Sequence, residues 1–533
     1  MRGLRHFTRA LVVRHYFYAL SAASLVGVAA IYPLWPGVLG ALWLVVPLIA
    51  LGAYDILNPR HTVLRNYPLI GHFRYLFEYI RPEIQQYFIH TDESGKPFDR
   101  ETRSLIYRRA KGVDSTLPFG TRRVLSREGY ESAAHSLAPC RVDPEHARVL
   151  FGAERAQPYS ASRLNVSAMS YGALSPHAIS ALNHAAKLGG FAHNTGEGGL
   201  SPYHRMGGDL IWQIGTGYFG CCDSAGRFDP GSFRDCARGP EVKMIEVKLS
   251  QGAKPGHGGI LPAVKVTPEI AAARHVALGE DCISPPAHTA FDGPRGLLDF
   301  VVRLRELSGD KPVGVKLAIG RRREFLSLVK AMLETGVTPD FITVDGAEGG
   351  TGAAPPELSN HFALPLTEAL VFVRNALVGA GLRERVRIIA SGKVASGFDM
   401  IVKLALGADA CNSARAMMFA LGCIQSLRCN TNQCPVGIAT QNPARYEALD
   451  VTDKRQRVAR YHAATIASFL ELLGTMGVAA PERLSPELIF RHDGRQARSY
   501  AETFEFLEPG ALLGSRVPAS FARDWERASP ERW

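Results

Sequence analysis

Short β-branched segments that end in small or polar residues alternate with amphipathic helical segments from Leu164 onward. The alternation predicts a parallel α/β fold, and eight units favour a closed (β/α)8 TIM barrel. The predicted strands are Leu164–Ser170, Phe191–Thr195, Met244–Ser250, Asp281–Ser284, Val313–Ile319, Phe341–Asp345, Val386–Ser391 and Ala408–Ser413. The helices predicted between them include Pro176–Leu188, Gly296–Leu307, Arg323–Thr335, Leu366–Ala380 and Phe398–Leu406.

A doubly wound sheet is the alternative arrangement of such units. It would need a Gly-x-Gly-x-x-Gly turn after its first strand, whereas this chain has Ser-Tyr-Gly-Ala-Leu-Ser at 170–175. In a barrel, functional residues lie on the loops that follow the strands. The unusual motifs of this chain fall in those loops.

The N-terminal pattern is different, because Phe17–Ile56 is apolar and contains no Lys, Arg or Glu. A break at 32–37 divides it into two predicted helices, Tyr16–Ile31 and Val38–Ile56, and a spanning helix needs about 20 apolar residues. A cleaved signal peptide is the alternative, but the apolar region is too long for one. We therefore predict a transmembrane helical hairpin. The flanking arginines, which place both ends in the cytoplasm, are Arg2, Arg5, Arg9, Arg14, Arg60, Arg65 and Arg74.

Residues 58–154 are predicted to connect this anchor to the catalytic body. Within them, Leu64–Gly71 is predicted to be extended, and Phe73–Phe88 to be an amphipathic helix broken at Pro82. The net charge of +11 does not indicate nucleic acid, because no zinc-finger spacing, RNP motif or Lys-rich tail is present. The arginines cluster near the apolar segment instead, which favours an anionic membrane surface as the partner.

Three cysteines, Cys423, Cys429 and Cys434, are spaced closely in one segment that continues Pro-Val-Gly. Thiolates are the ligands of iron–sulfur clusters, and three of them in a short irregular loop predict a three-cysteine centre such as [3Fe–4S]. The alternative is three buried or free cysteines, and Cys411 is a possible fourth ligand. Nine cysteines in 533 residues do not indicate a disulfide scaffold.

Three loops carry features of a phosphate site. A glycine-rich segment at 345–354 follows the predicted sixth strand, and loops after the seventh and eighth strands commonly bind phosphate in this fold. Backbone amides near Gly392 and Ser413 are candidates to hold phosphate, with Lys393 or Arg415 adding charge. A flexible loop without a ligand is the alternative for the glycine-rich segment.

Charged residues mark the remaining loops and one strand. Lys316 lies within an apolar strand, where a lysine is costly unless it is paired or functional. If a flavin lies nearby, this lysine would stabilise negative charge on the reduced ring; the alternative is that it reaches solvent at the strand end. Lys248 and Lys254, in a glycine-rich segment, suit a carboxylate-bearing substrate. Glu197 is a candidate acid/base or ammonia-binding group. Solvated loop charges are the alternative for these residues.

Five motifs in the same order resemble the FMN-binding synthase domain of glutamate synthase. The resemblance covers Arg155–Pro443 and implies an FMN-dependent barrel with a [3Fe–4S] cluster beside the flavin. It also implies that 2-oxoglutarate and ammonia form 2-iminoglutarate, which is reduced to L-glutamate. The motifs are Ser167–Gly172, Asn194–Gly199, Gln251–Gly256, Gly349–Ala353 and the segment with Cys423, Cys429 and Cys434.

The resemblance also assigns roles by position. The segment Ala168, Met169, Ser170 and Tyr171 would contact the flavin, as would Gln251 and Lys316. Lys254 would face the 2-oxoglutarate carboxylate, and Glu197 would lie where ammonia arrives. The phosphate side would be lined by Gly349, Gly350, Gly392 and Lys393.

The chain departs from the family pattern in ways that change the expected partners. His257 and Ile260 stand where the family has Glu and Gln, which puts the identity of the 2-oxo acid in question. The chain opens Met1-Arg2 without a cysteine nucleophile and shows no pyridine-nucleotide domain. We therefore expect an external electron donor, either a ferredoxin-like protein or a membrane carrier, and ammonia from solution or from a separate glutaminase.

The expected organisation is an anchor at 1–57, a connector at 58–154, the barrel at 155–443 and a helical extension at 444–533. The expected location is the inner membrane of a cell, with the barrel in the cytoplasm. Two other functions stay open. One is an amino-acid or amine dehydrogenase that passes electrons to a membrane carrier, and the other is a non-catalytic flavin and iron–sulfur electron-transfer subunit.

Overall fold

A computed structural model describes residues 13–113, 116–274 and 276–533 of the chain. It divides into two compact units between Arg100 and Glu101. Of the arginines predicted to flank the anchor, Arg2, Arg5 and Arg9 lie outside the described residues.

The first unit is helical. A single 3-10 segment, Pro36–Ala41, precedes α2, and a π-helical turn, Gln85–Ile89, follows α4. Phe17 of α1 packs against Gly52 of α2, where a Cβ atom would lie 2.3 Å from the phenyl ring. The helices are α1 (Val13–Ile31), α2 (Leu42–Leu57), α3 (Thr62–Asn66) and α4 (Gly71–Ile84).

One stretch in the described part of the chain is long and apolar enough to cross a membrane: Pro36–Leu57, with a mean hydropathy of 2.0. The α1 helix begins with a polar turn that contains Arg14 and His15, and does not meet the same criterion. Two adjacent helices are therefore present, but the predicted transmembrane hairpin is not confirmed.

Two predictions for the connector are wrong. Leu64–Gly71 is not extended, because Thr62–Asn66 forms α3 and its buried Leu64 packs closely against Gly71. Pro82 does not break its helix, since α4 runs through it to Ile84 and the chain continues into the π-helical turn. A proline near a helix end removes one hydrogen bond, which neighbouring turns tolerate more easily than in the helix interior.

The second unit contains a closed barrel of eight parallel strands, as predicted. Neighbours along the chain are neighbours in the barrel, and β8 pairs with β1 to close it. We number only these barrel strands: β1 (Leu164–Val166), β2 (His193–Asn194), β3 (Leu210–Ile214), β4 (Val242–Lys248), β5 (Val313–Leu317), β6 (Phe341–Asp345), β7 (Arg387–Ser391) and β8 (Ala410–Ser413).

One predicted barrel strand is wrong and one was missed. Asp281–Ser284 lies outside the barrel, where Cys282–Ile283 pairs with Ile260–Leu261 in an antiparallel ribbon. The missed strand is β3, which is buried throughout. It escaped the alternation rule because only a 3-10 turn, Pro202–His204, separates it from β2. The strand at Met244–Ser250 is therefore the fourth strand rather than the third.

Helices surround the barrel at the predicted positions, with bounds that differ from the predictions by at most three residues for α6, α9, α10, α12 and α13. The helices of the second unit are α5 (Arg100–Lys111), α6 (Pro176–Gly189), α7 (Pro230–Ala237), α8 (Pro268–Arg274), α9 (Gly293–Ser308), α10 (Arg322–Thr335), α11 (Pro356–His361), α12 (Leu366–Gly379), α13 (Gly397–Ala405), α14 (Arg415–Leu421), α15 (Pro443–Tyr446), α16 (Val451–Thr475), α17 (Tyr500–Thr503) and α18 (Ala519–Arg527).

The residues after the barrel complete its outer layer. The long α16 packs on α6, α13 and α14, so it covers the region where β8 meets β1. Its Tyr461 hydroxyl donates to the Ala395 carbonyl at 2.9 Å, and its His462 Nε2 donates to the Leu164 carbonyl at 3.0 Å. The C-terminal region is not wholly helical, because Ile489–His492 pairs with Ala497–Ser499 and with Glu131–Ala133.

The amino-terminal end of the barrel is closed by a hairpin, Arg148–Phe151 with Tyr159–Ser162. Its Phe151 packs edge-on against Phe341 of β6, with the ring centroids 5.7 Å apart. Inside the barrel, the Glu246 carboxylate accepts hydrogen bonds from side chains of β2, β3 and β6. Hydrogen-bonded side chains therefore fill the interior of the barrel. Functional residues of this fold lie on the loops at the carboxyl ends of the strands.

Candidate active site

A buried ion pair lies at the carboxyl ends of β5 and β6. Lys316 Nζ is 3.6 Å from Asp345 Oδ1, and both side chains are about 5–6% exposed. The other contacts of Asp345 are the Ser391 hydroxyl at 2.7 Å and the Gly252 backbone N–H at 2.8 Å, which both donate to it. The alternative in which Lys316 reaches solvent is therefore wrong.

A second ion pair joins three loops. Lys248, the last residue of β4, donates to Glu197 Oε1 at 2.7 Å and to Gln251 Oε1 at 3.2 Å. Gln251 Nε2 in turn donates to the Gly350 carbonyl at 2.7 Å. Glu197, Gln251 and Gly350 lie in the loops after β2, β4 and β6. The contacts therefore connect the two predicted substrate loops to the glycine-rich segment.

Glu197 is surrounded by positive charge. Burial alone would raise the pKa of this carboxyl, but Lys248, Lys254 and Arg274 outweigh burial and lower the pKa to about 2. Burial lowers the pKa of Lys254, and the Glu197 carboxylate opposes that effect. Three cations around one carboxylate leave a net positive centre, which can bind a further carboxylate.

Arg274 was not predicted from the sequence. It ends the short helix α8, and its buried guanidinium donates from Nη2 to the Tyr171 carbonyl at 2.8 Å. A helix-terminal arginine is ordinary in sequence, so only the packing of α8 over the barrel identifies it. His288 was also missed; its Nε2 donates to the Lys248 carbonyl at 2.8 Å, and burial lowers its pKa.

The predicted flavin-contacting segment follows β1. Ala168, Met169 and Ser170 are half-buried there, and the next loop approaches them closely. A Cβ atom at Gly196 would lie 2.6 Å from the Ser170 backbone nitrogen, so this glycine permits the contact. The Tyr171 hydroxyl donates to Glu269 Oε2 at 2.8 Å, and burial, together with Glu269, raises its pKa.

The predicted phosphate residues lie at the ends of β6, β7 and β8. A Cβ atom at Gly350 would be 2.9 Å from Arg415 Nε, and Arg415 Nη2 donates to the Glu348 carbonyl. Gly392, with φ +154°, borders the Glu348 side chain. Lys393 is exposed, and the Ser413 hydroxyl donates to the Val394 carbonyl at 2.7 Å. The structure thus brings Gly350, Gly392 and Arg415 together around Glu348.

These loops fit a phosphate-bearing flavin. A Cβ atom at Gly252 would lie 1.8 Å from the Gly346 carbonyl oxygen, so the loops after β4 and β6 meet through backbone alone. Glycines allow a ligand to lie close to backbone amides, and the cations Lys316, Lys393 and Arg415 lie at the ends of neighbouring strands.

The three cysteines of the predicted cluster lie in the loop between α14 and α15. Burial raises the pKa of the Cys423 thiol to about 12, and Cys429 and Cys434 are near enough to add to the effect. Among residues 13–113, 116–274 and 276–533, however, no three His, Cys, Asp or Glu side chains are arranged to hold a metal ion. The cluster therefore stays a prediction. Cys411 is part of β8, and Lys403, Asp399 and Arg163 are its charged neighbours.

Lys265 holds this loop in place and was not predicted. Its buried Nζ donates to the Cys429 carbonyl at 2.6 Å, the Ala439 carbonyl at 3.0 Å and the Ala173 carbonyl at 3.3 Å. The lysine therefore ties the cysteine loop to the segment that follows β1. Its sequence position beside a proline-containing turn gives no sign of this role.

Comparisons with known proteins give matches over most of the second unit. Residues 134–479 match the family described as the conserved region in glutamate synthase. A glutamate synthase large subunit-like protein, YerD of Bacillus subtilis, is 37% identical over 482 residues, which cover 82% of this chain and 91% of that protein. An archaeal glutamate synthase (NADPH) of Methanocaldococcus jannaschii is 38% identical over 318 residues, or 59% of each chain.

The archaeal-type glutamate synthase (NADPH) of Thermotoga neapolitana is 36% identical over 60% of each chain, so this chain spans only part of those relatives. Among solved structures, a mandelate oxidase with an FMN adduct superposes with a TM-score of 0.40 and 15% identity, covering 72% of this chain and 90% of the oxidase.

Proposed function

The chain belongs to the glutamate synthase family of oxidoreductases, which act on CH–NH2 donors, and from this premise we propose that it reductively aminates a 2-oxo acid. The expected substrate is 2-oxoglutarate, which would pass through 2-iminoglutarate to L-glutamate. The observation that carries the proposal is the convergence of Lys248, Lys254 and Arg274 on the Glu197 carboxylate at the mouth of the barrel.

The cations account for binding of the acid. A 2-oxo acid brings at least one carboxylate, and charge-assisted hydrogen bonds to lysine and arginine are stronger than neutral ones. Lys254 is the residue we assign to the substrate carboxylate, because Lys248 already bonds Glu197 and Gln251. Arg274, which borders the same carboxylate, is a second candidate contact.

Glu197 accounts for binding of nitrogen. Its low pKa keeps it ionised at neutral pH, so its carboxylate oxygens can accept hydrogen bonds from the N–H groups of ammonia, an amine or an imine. It has no proton to donate under those conditions. We therefore assign it an electrostatic and orienting role rather than that of a general acid.

The cofactor we propose is FMN. When bound, FMN supplies the hydride that reduces the imine carbon. Ala168, Met169, Ser170 and Tyr171 would lie against its ring system together with Gln251 and Lys316, and the buried Lys316 would place positive charge there. Its phosphate would be held by Gly349, Gly350, Gly392, Lys393, Ser413 and Arg415.

Ile260 affects which 2-oxo acid this chain would bind. It stands where the resemblance expects Gln, and in the structure it is half-buried and paired with Ile283. An apolar side chain at this position cannot donate a hydrogen bond to the distal carboxylate of 2-oxoglutarate. Replacement by Ile260→Gln should improve use of 2-oxoglutarate relative to shorter 2-oxo acids.

We also propose a [3Fe–4S] cluster on Cys423, Cys429 and Cys434. Its support is the resemblance, the position of all three thiols in one loop, and the mutual effect of these thiols on their pKa values. The buried Lys265 places a positive charge beside them, which suits thiolate ligands.

The proposed partners follow from the same reasoning. Electrons would come from an external donor, either a ferredoxin-like protein or a membrane carrier, and ammonia from solution or a separate glutaminase. The proposed location is the inner membrane, with the barrel in the cytoplasm. Its support is the apolar stretch Pro36–Leu57 and the arginines near its ends, Arg14, Arg60, Arg65 and Arg74.

The test is a flavin reoxidation assay on the purified full chain. The protein is reduced under anaerobic conditions and mixed with a series of 2-oxo acids, each with and without ammonium. Reoxidation that requires both compounds supports reductive amination. If no 2-oxo acid reoxidises the flavin, but glutamate or another amine reduces the oxidised protein, the protein is instead a dehydrogenase that delivers electrons to a carrier. If neither occurs, the electron-transfer subunit is favoured.

A further inference from the structure

The first turn of α4 is fixed to the end of the apolar helix α2. Asp55, in the last turn of α2, is fully buried and accepts a hydrogen bond from the Leu69 backbone N–H at 3.0 Å. His72 of α4 contacts the same carboxylate through Nε2 at 2.9 Å. Asp55 is the only acid of the apolar segment. Its buried carboxylate binds Leu69 and His72, so the start of α4 lies beside the last turn of α2.

Further contacts hold α3 and α4 at this end of α2. The Tyr75 hydroxyl lies 3.4 Å from His61 Nδ1, and the two rings meet edge-on with centroids 5.6 Å apart. Arg65 Nε donates to the Ile56 carbonyl at 3.1 Å, which satisfies one of the last carbonyls of α2. If α2 spans a bilayer, α4 therefore lies at the depth of the headgroups.

One face of α4 is apolar and exposed. Phe73, Leu76 and Phe77 are 57%, 49% and 59% exposed, and the phenyl rings of Phe73 and Phe77 stack at 6.4 Å. Ile80 and Ile84 continue this face at helical spacing. Arg74 and Arg81 border this face on one side, and Arg81 Nη1 is 4.0 Å from Oε2 of Glu78, which lies on the far side of the helix.

We propose that α4 lies in the plane of an anionic lipid surface, with Phe73, Leu76 and Phe77 among the headgroups and upper acyl chains. The proposal rests on the proposed membrane location of α2. Helices with aromatic apolar faces and arginine-containing polar faces bind such surfaces, and arginines near the surface attract anionic lipids. Between residues 58 and 84, Arg60, Arg65, Arg74 and Arg81 outnumber the acids Glu78 and Glu83.

The position of α4 favours lipid over a protein partner. The apolar face continues from the end of an apolar helix that carries exposed Trp43 and Leu44. Any protein that covered Phe73 and Phe77 would have to occupy the boundary between bilayer and water, where lipid is already present. A protein partner is therefore an outcome of the test and not the occupant we assign.

Photo-crosslinking in the full chain tests this assignment. The photoreactive residue p-benzoylphenylalanine replaces Phe77 on the apolar face, Glu78 on the far side of α4, or Leu44 on α2, one at a time. Each protein is reconstituted into vesicles of phosphatidylethanolamine and phosphatidylglycerol, irradiated, and digested for mass spectrometry. We expect lipid adducts at position 77 to be several-fold more abundant than at position 78, and enriched in phosphatidylglycerol over its share of the vesicle.

The Leu44 variant separates two kinds of failure. Lipid adducts at position 44 with none at position 77 would overturn the assignment of α4 while leaving α2 in the membrane. Protein adducts at position 77 in native membranes would show that a partner covers the face, and would also overturn it. Absence of lipid adducts at both positions would remove the membrane location itself. Adducts at position 77 in proportion to vesicle composition would reject the anionic preference.

Discussion

Glu197 shows how neighbouring charges restrict the chemistry of one residue. The sequence predicts that Glu197 is an acid/base or ammonia-binding group, and in the structure Lys248, Lys254 and Arg274 lower its pKa to about 2. A carboxyl group with that pKa is deprotonated throughout the neutral range. The role in charge and position that we propose for Glu197 therefore makes a different prediction from a role in proton transfer.

Glu197→Gln should lower turnover more than substrate binding, by about ten- to a hundredfold, since a charge-assisted hydrogen bond contributes about 1.5–3 kcal/mol. Because the folded pKa is depressed, Glu197 stays charged between about pH 5.5 and pH 8. The ratio of wild-type to variant kcat should then be constant over that range. A ratio that changes steeply near neutral pH would show that Glu197 transfers a proton.

Lys254 should bind the carboxylate of the 2-oxo acid. Lys254→Ala removes a charge-assisted contact that contributes about 1.5–3 kcal/mol, so the KM for the 2-oxo acid should rise by roughly ten- to a hundredfold. FMN content should not change. Lys254→Arg keeps the charge and should retain part of the affinity. An unchanged KM in Lys254→Ala would assign the substrate carboxylate to Arg274 instead.

At the scale of elements, the site depends on loops that approach each other through glycines. The loops after β4 and β6 meet at Gly252 and Gly346, and no side chain separates them. The same loops are joined by the Gln251–Gly350 hydrogen bond and by the bond from Gly252 to Asp345. The barrel strands supply the frame, and these contacts set the shape of its mouth.

Gly252→Ala should therefore separate these loops. Its Cβ would lie 1.8 Å from the Gly346 carbonyl oxygen, a contact that requires the backbone to move. We expect loss of flavin retention during gel filtration while the circular dichroism of the barrel is preserved. Gly352→Ala is the matched control, because Gly352 lies in the same glycine-rich segment as Gly346 and no atom lies within 4 Å of its Cβ position. Equal flavin retention in both variants would contradict the expectation.

The cysteine loop is a separate element with its own prediction. Cys429→Ser should abolish bound iron and sulfide and remove the EPR signal of a three-iron cluster in anaerobically prepared protein. Cys222→Ser is the control, since Cys222 is buried in the loop between β3 and α7, away from the cysteine loop. Flavin-replete parent protein without iron would show that the loop holds no cluster.

At the scale of the whole molecule, the chain divides at Arg100 and Glu101 rather than at the end of the apolar segment. The first unit contains α4 with its exposed apolar face, and the second contains the barrel with the proposed catalytic residues. Removing only residues 1–57 would leave that face in place. Removing residues 1–100 would delete it.

We expect the two truncations to behave differently. The chain that starts at residue 101 should be soluble without detergent and keep its FMN, because the second unit is compact by itself. The chain that starts at residue 58 should still pellet with membranes or require detergent, since Phe73 and Phe77 remain exposed. Sedimentation with and without vesicles measures both. Equal solubility of the two truncations would show that α4 makes no membrane contact.

The sequence alone determined the barrel, because burial on both faces of parallel strands produces continuous apolar runs that alternate with amphipathic helices. It also placed the functional motifs at the carboxyl ends of those strands. It failed at β3, which only a 3-10 turn separates from β2, and at Asp281–Ser284, where Cys282–Ile283 forms a short ribbon outside the barrel.

Only the tertiary structure decided which charges meet. Glu197, Lys248, Lys254 and Arg274 are spread over 78 positions of sequence, and closure of the barrel brings them together. The same is true of Lys265, which contacts carbonyl groups 92 and 174 positions away. Local patterns report which residues are buried, whereas the strength of an electrostatic interaction depends on distances between residues that are remote in sequence. For that reason the fold and the motifs were predictable, and the cations that surround Glu197 were not.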